Sequence, residues 1–203
     1  MKIICIGRNY TEHAKELNNA VPTEPVFFLK PDTAILKNNS DFYIPDFTSD
    51  LHYETEIVLK INRVGKHIDE KFASRYFDEI GIGIDFTARD LQQKAKEKGL
   101  PWEIAKAFDY SAPLGEFMHK LELPDVNAIN FGLQLNKNWV QTGNTRDMIF
   151  SFEKIIAYIS KYITLKIGDL IFTGTPAGVG SVKIGDTLEA SIEGKNRLTI
   201  NIK

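Results

Sequence analysis

The sequence predicts one β-rich α+β domain. Three observations lead there. Short apolar runs of strand length recur along the chain, bounded by Gly, Pro, Asn and Asp. Only a few stretches carry helical spacing. No low-complexity linker divides the 203 residues, a length that suits one substantial domain, so residues 1–203 are expected to form a single unit. About nine strands and four helices are expected.

The elements follow in order. "KIICIG" reads as a short buried strand and "TEHAKEL" as a brief helix. "NNAVPTEP" has loop chemistry, with two prolines close together. "VFFLK" is a strand, and "PDTAILKNNSDFYIPDFTSD" is long and mostly irregular. Residues 51–61, "LHYETEIVLKI", read as one strand. A helix is expected over 69–77. "EIGIGIDF" alternates Gly and Ile, which implies close approach of another backbone or a ligand. "TARDLQQKAKEKG" opens with Thr-x-x-Asp and stops at Gly99, both helix boundary signals. "PWEIAKAFDYSAPLGEF" gives little periodicity. A hairpin is expected around residues 136–138. Ile149, Phe152, Ile156, Ile159 and Ile163 have helical spacing over 148–163. Lys-Ile-Gly-Asp occurs twice, as a turn before two strands, and "NRLTINIK" is the last strand.

Bulk properties exclude several classes. Hydrophobic residues are 43% and charged residues 26%, ordinary for a globular protein. Net charge is -2, from 25 basic and 27 acidic residues, and no basic block appears, so nucleic acid is not an expected partner. The N-terminal apolar run is too short for a signal-peptide core, and no run approaches a membrane span. A cytoplasmic location is expected. Cys5 has no second cysteine to pair with and reads as a buried core thiol.

Chemistry concentrates in a few places. Glu54 and Glu56 are two apart on a strand, so they share a face about 6.6 Å apart. Thr55, Ile57, Leu59 and Ile61 take the other face. Either the acidic face is solvated, or it is buried and needs a cation. Asp85 ends the Gly/Ile strand; it serves either as a charge at a helix start or as a third carboxylate. Three carboxylates without cysteines suit a hard divalent cation such as Mg²⁺ or Mn²⁺, with open positions for a chelating substrate. His13 and Glu16, three apart on a helix, form either a general acid/base dyad or a solvated face. Arg89 and Gln92 share a helix face suited to a carboxylate, and Lys96 follows them. Lys106 lies between hydrophobic neighbours, which is unusual for lysine. "TGTPAGVG", 173–180, lacks the ending of a phosphate loop; it is a plain turn or a set of donors near a ligand.

Taken in order, "CIGRNYTEHAKEL", "EPVFFLKPDTAI", "LHYETEI", "GIDFTARDLQ", "KGLPWEIAKAFD" and "GDLIFTGTPAGVG" resemble the fumarylacetoacetate hydrolase family over nearly the whole chain. The likeness is greatest to short single-domain members, the acylpyruvate hydrolases and oxaloacetate decarboxylases; the added N-terminal region of longer members is expected to be lacking. The resemblance implies a mixed β-sandwich roll and a homodimer. It implies that Glu54, Glu56 and Asp85 hold Mg²⁺ or Mn²⁺, which would account for two glutamates on one strand face. It assigns His13 and Glu16 to a dyad on a short lid, and places Arg8, Arg89, Gln92, Lys106 and Thr175 around a small oxo-acid substrate. The activity it implies first is hydrolysis of acylpyruvates (2,4-dioxo acids) to pyruvate and a carboxylic acid. Oxaloacetate decarboxylation or tautomerisation, and a catechol-pathway isomerase or decarboxylase, use the same enolate chemistry. A carboxylate-binding protein without catalysis is the contrasting class, and intact His13, Glu16 and Lys106 argue against it.

Overall fold

Alternating apolar side chains build the central sheet. In the computed structural model, which describes residues 1–17, 20–37 and 39–203, this sheet has six strands. Their order is Val26–Lys30, Ile3–Gly7, Leu170–Phe172, Thr55–Ile61, Phe77–Ile84 and Met118–His119. Ile3–Gly7 runs parallel to Leu170–Phe172 and the other neighbours are antiparallel, so the sheet is mixed. An antiparallel sheet of four strands, Asn138–Asn144, Asn130–Leu135, Thr187–Ile192 and Lys195–Asn201, shares its core. Ile57, Leu59, Ile80 and Ile82 of the first meet Leu133, Leu188, Ile192 and Leu198 of the second in one buried cluster. The fold is β-rich α+β, as expected. Parts of the loops read over 18–25 and 31–50 lie outside the described residues, at Asn18, Asn19 and Asn38.

The strand expected over 51–61 is broken at Glu54. Leu51–Tyr53 pairs with Gly180–Ser181 and Thr87–Ala88 in a separate small sheet, and only Thr55–Ile61 joins the central one. The break is stabilised from afar: the Thr55 amide donates to Gln141 Oε1 at 2.9 Å. Ile57, Leu59 and Ile61 still face the large core, while Val58 faces the second buried cluster with Ile3, Cys5, Leu170 and Phe172. Cys5 is therefore a core thiol.

The Gly/Ile alternation resolves into packing. Ile80, Ile82 and Ile84 fill the large core. On the opposite face, a side chain at Gly83 would come within 2.6 Å of the Phe172 ring and 2.9 Å of the Pro113 carbonyl. Glycine admits the aromatic ring here; no ligand is needed to explain it.

Four α-helices occur among the described residues: α1 (Thr11–Glu16), α2 (Arg89–Lys98), α3 (Glu103–Lys106) and α4 (Phe152–Tyr162). None is long and apolar enough to cross a membrane. The helix expected over 69–77 is a 3₁₀ segment, Glu70–Tyr76, capped by Asp69. α3, a single turn, has too little length to show a period. α2 ends as expected, with Gly99 left-handed at φ 62°. Its expected Thr-x-x-Asp start does not form, because Thr87 lies in a strand and Asp90 instead accepts from Thr48 Oγ1 at 2.6 Å. Fifteen strands are found among the described residues where about nine were expected; the excess are pieces of two or three residues, too short to show alternation. The hairpin turns at Asn136 and Lys137, both left-handed at φ 51° and 70°, as a two-residue turn matched to strand twist requires. Both Lys-Ile-Gly-Asp segments fold alike: Asp169 and Asp186 each accept the backbone N–H of the lysine three residues earlier, at 2.8 and 2.9 Å.

α4 begins at Phe152, four residues later than the apolar spacing alone suggests, because Ser151 caps it. Its hydroxyl accepts from the Lys154 amide at 3.2 Å. Ser151→Ala is therefore expected to cost about 1 kcal/mol, measured as a shift of the urea midpoint at unchanged slope.

Candidate active site

Three carboxylates arrive from two adjacent strands. Glu54 occupies the strand break, Glu56 the second position of Thr55–Ile61, and Asp85 the residue after Phe77–Ile84. The Asp85 amide donates to the Glu54 carbonyl at 2.8 Å, which locks the two backbones in register. One oxygen from each carboxylate lies within 4.8 Å of the others, and all three residues are buried. The acidic face is not solvated.

Cations surround this cluster unevenly. Arg89 Nη2 donates to Glu54 Oε1 at 2.5 Å, and Lys106 Nζ donates to Glu54 Oε2 at 2.8 Å and Asp85 Oδ2 at 2.7 Å. Burial works against the Glu54 charge, but Lys106 and Arg89 outweigh it and hold the pKa well below the carboxylate range. Burial also opposes the Lys106 charge, and Asp85 and Glu54 more than offset it, so Lys106 is a fixed ammonium. Glu56 differs. Its one hydrogen bond among the described residues is from the Gly174 amide to Oε2 at 2.6 Å. Burial, then the neighbouring Asp85 charge, push its pKa well above the ordinary value. Of the three carboxylates, Glu56 alone thus forms no ion pair among the described residues. An all-oxygen donor set with unmet demand for positive charge fits a hard divalent cation.

Around the cluster, Arg8, His13, Arg89, Gln92, Lys106 and Thr175 line the same small cavity, about 30 Å³ in free volume. Glu16 does not line it but reaches His13, with Oε2 3.3 Å from Nδ1. The Glu16 carboxylate also accepts the Gly178 amide at 3.0 and 3.2 Å, which pins α1 to the 173–180 loop. Arg89 Nη1 donates to Gln92 Oε1 at 2.8 Å. Arg8 sits at φ 62°, a left-handed conformation unusual for a side-chain-bearing residue. Thr175 Oγ1 accepts from Gln141 Nε2 at 2.8 Å, which leaves its hydroxyl proton free to donate. A larger groove of about 460 Å³ lies elsewhere, beside Met1, Leu114, Phe117 and Leu170. It has no converging carboxylates, whereas Glu54, Glu56 and Asp85 all line the smaller cavity.

Sequence reasoning missed Gln141 and Lys30. The only signal for Gln141 was a polar residue in a strand. Lys30 ends an edge strand, a position that reads as solvated, yet its side chain is 0% exposed. Its ammonium lies 2.8 Å from Asp85 Oδ1. It also donates to Ser111 Oγ at 2.9 Å, the Ser111 carbonyl at 3.1 Å and the Lys106 carbonyl. Lys30 therefore ties Asp85 to the turn that presents Lys106. Lys30→Met removes the cation from buried Asp85 Oδ1 and is expected to cost about 3–5 kcal/mol of unfolding free energy, read by denaturant titration; a loss under 1 kcal/mol would contradict this role.

Comparison with known proteins places these features in a family. Residues 2–203 match the family described as "Fumarylacetoacetate (FAA) hydrolase C-terminal". The chain is 45% identical over 192 residues to "Oxaloacetate tautomerase FAHD1, mitochondrial" of Rattus norvegicus, covering 95% of this chain and 87% of that protein. It is 42% identical over 194 residues to "Oxaloacetate decarboxylase, mitochondrial" of Dictyostelium discoideum, covering 95% and 89%. The crystal structure of fumarylpyruvate hydrolase from Pseudomonas aeruginosa in complex with Mn²⁺ and pyruvate superposes with a TM-score of 0.95 at 34% identity, covering 100% of this chain and 89% of that one. These relatives are enzymes of small oxo acids. The chain belongs to the fumarylacetoacetate hydrolase family.

Proposed function

We propose that this chain is a divalent-metal-dependent enzyme that interconverts the keto and enol forms of oxaloacetate. The observation that carries the reading is a single proton carrier, His13, set in the same cavity as a buried carboxylate cluster whose cations are already fixed. The identity to an oxaloacetate tautomerase over 95% of the chain supports it.

A divalent cation, Mg²⁺ or Mn²⁺, held by Glu54, Glu56 and Asp85 would supply a Lewis acid at the oxygens of the 2-oxo acid. The protein's own groups do the rest. Glu16 occupies His13 Nδ1, which leaves Nε2 as the nitrogen for substrate. Nε2 takes a proton from C3 of the keto form. The C–H electron pair becomes the C2–C3 double bond, and the carbonyl pair moves to oxygen. The Lys106 ammonium stands by as a fixed positive charge for that oxygen. The imidazolium then returns a proton to oxygen, giving the enol. Arg8, Arg89, Gln92 and Thr175 orient the substrate. Hydrolysis of acylpyruvates, the activity the resemblance implied first, is the second reading; the likeness to a Mn²⁺ complex of fumarylpyruvate hydrolase favours it. There His13 would take its proton from water.

A panel separates the readings: enol decay of oxaloacetate, pyruvate release from oxaloacetate, and hydrolysis of acetylpyruvate and fumarylpyruvate, each with Mg²⁺. Tautomerisation is expected to be fastest, and His13→Ala to slow it about 10²–10⁴-fold. No activity on any of the four, or a parent rate in His13→Ala, would overturn the proposal.

The Glu56 shift has a signed consequence. In metal-free protein the folded state holds the Glu56 proton more tightly than the unfolded chain. That contribution is fully present below the ordinary carboxylate pKa and is lost as pH rises through the raised one. The melting temperature of chelated protein should therefore fall with pH across this window, and Mn²⁺ should restore it with proton release. Glu56→Gln should flatten the fall and abolish the Mn²⁺ response, which scanning calorimetry with and without chelator will read.

A further inference from the structure

The face of α2 that carries Arg89 and Gln92 continues to Lys96, one turn on. The first two are engaged with Glu54 and each other. Lys96 is not. The ion pairs of the site join Lys30, Arg89 and Lys106 to carboxylates; among the described residues neither Lys96 nor Arg8 forms one. Both line the same cavity as the three carboxylates, and both are half-buried. The other lysines of α2, Lys94 and Lys98, are exposed. The Lys96 ammonium lies over the Trp102 ring, 5.8 Å from its centre, and Trp102 lines the same cavity. Arg89 Nε adds a buried donor without a partner.

Charge balance says what this end of the cavity wants. Glu54, Glu56 and Asp85 are matched in number by Lys30, Arg89 and Lys106. A divalent cation would then leave the centre positive, and Arg8 and Lys96 raise that further. Burial first, then the Arg8 and Arg89 charges, push the Lys96 pKa down. A substrate with one carboxylate leaves the Lys96 end unmatched. A substrate with two does not, and oxaloacetate and fumarylpyruvate each carry two.

We infer that Lys96, with Arg8 beside it, binds the distal carboxylate of the substrate and makes the site selective for dicarboxylic over monocarboxylic 2-oxo acids. The inference rests on the oxo-acid reading of the site and extends it to substrate class.

The test is calorimetric binding to the Mn²⁺-loaded protein, with two probes that need no turnover. One is 3,3-difluorooxaloacetate, dicarboxylic and unable to enolise; the other is pyruvate. Lys96→Met keeps much of the apolar stem length and removes the charge. It is expected to weaken difluorooxaloacetate about tenfold to a hundredfold, with pyruvate changed less than about twofold. Lys96→Arg should recover most of the loss, and Lys94→Met should change neither probe. Equal weakening of both probes, or of neither, overturns the Lys96 assignment while the oxo-acid reading stands. Failure of the parent protein to bind either probe overturns the oxo-acid reading and this inference with it.

Discussion

Three carboxylates held within 4.8 Å of one another in a buried site set the constraint that the rest of the structure answers. Each such pair of charges repels by about 3–4 kcal/mol at an effective dielectric near 20. Uncompensated, the cluster would pull its strands apart. Compensation runs as a chain of alternating charge, Lys30–Asp85–Lys106–Glu54–Arg89, which leaves Glu56, of the three, with no cation of its own among the described residues. The protein neutralises two charges permanently and leaves the third negotiable. That is the arrangement a site needs if it must stay folded and still draw in a metal.

The fold delivers this by breaking a rule locally. A continuous strand through 51–61 would hand both glutamates to one regular ladder. The break at Glu54 sends Leu51–Tyr53 into another sheet and frees the Glu54 side chain to meet Arg89 from α2. The broken ladder leaves the Thr55 amide without a strand partner, and Gln141 satisfies it from 86 residues away. The same Gln141 amide group holds Thr175 Oγ1 and the Pro176 carbonyl. One buried side chain therefore fixes both the strand that bears Glu56 and the loop that faces it.

What was legible in the sequence follows the range of the interactions. The same-face spacing of Glu54 and Glu56 is a local property of a pleat, and it survives the break. The caps at Gly99 and the hairpin turn at Asn136–Lys137 are local as well. Lys30 was illegible because its burial rests on acceptors at Asp85, Lys106 and Ser111, between 55 and 81 residues away, brought together only by the fold. α3 escaped notice because one turn has no period, although it carries Lys106. The 3₁₀ segment at Glu70–Tyr76 lies against α4, and nothing in its composition distinguishes it from an α-helix. Most of the site was legible as an ordered set of short stretches resembling one family, which carries long-range information that spacing alone does not.

The placement of His13, the proposed proton carrier, depends on a residue with no side chain. Glu16 orients His13, and the Gly178 amide orients Glu16. Gly178 lies at φ 97°, and a Cβ there would fall 2.1 Å from the Val140 carbonyl. Any other residue would have to move the amide that Glu16 needs. The neighbouring turn is equally constrained: Gly174 lies at φ 104° with the Asn9 side chain against it, and its amide holds Glu56. Asn9 in turn donates to the Thr173 and Phe150 carbonyls, and the residue before it is Arg8. The glycine-rich loop thus addresses both halves of the chemistry through backbone N–H groups alone, Glu56 at one end and the His13–Glu16 pair at the other. A shift of that loop would move the carboxylate that lacks a cation and the imidazole together, so α1 and the carboxylate cluster share one reference frame.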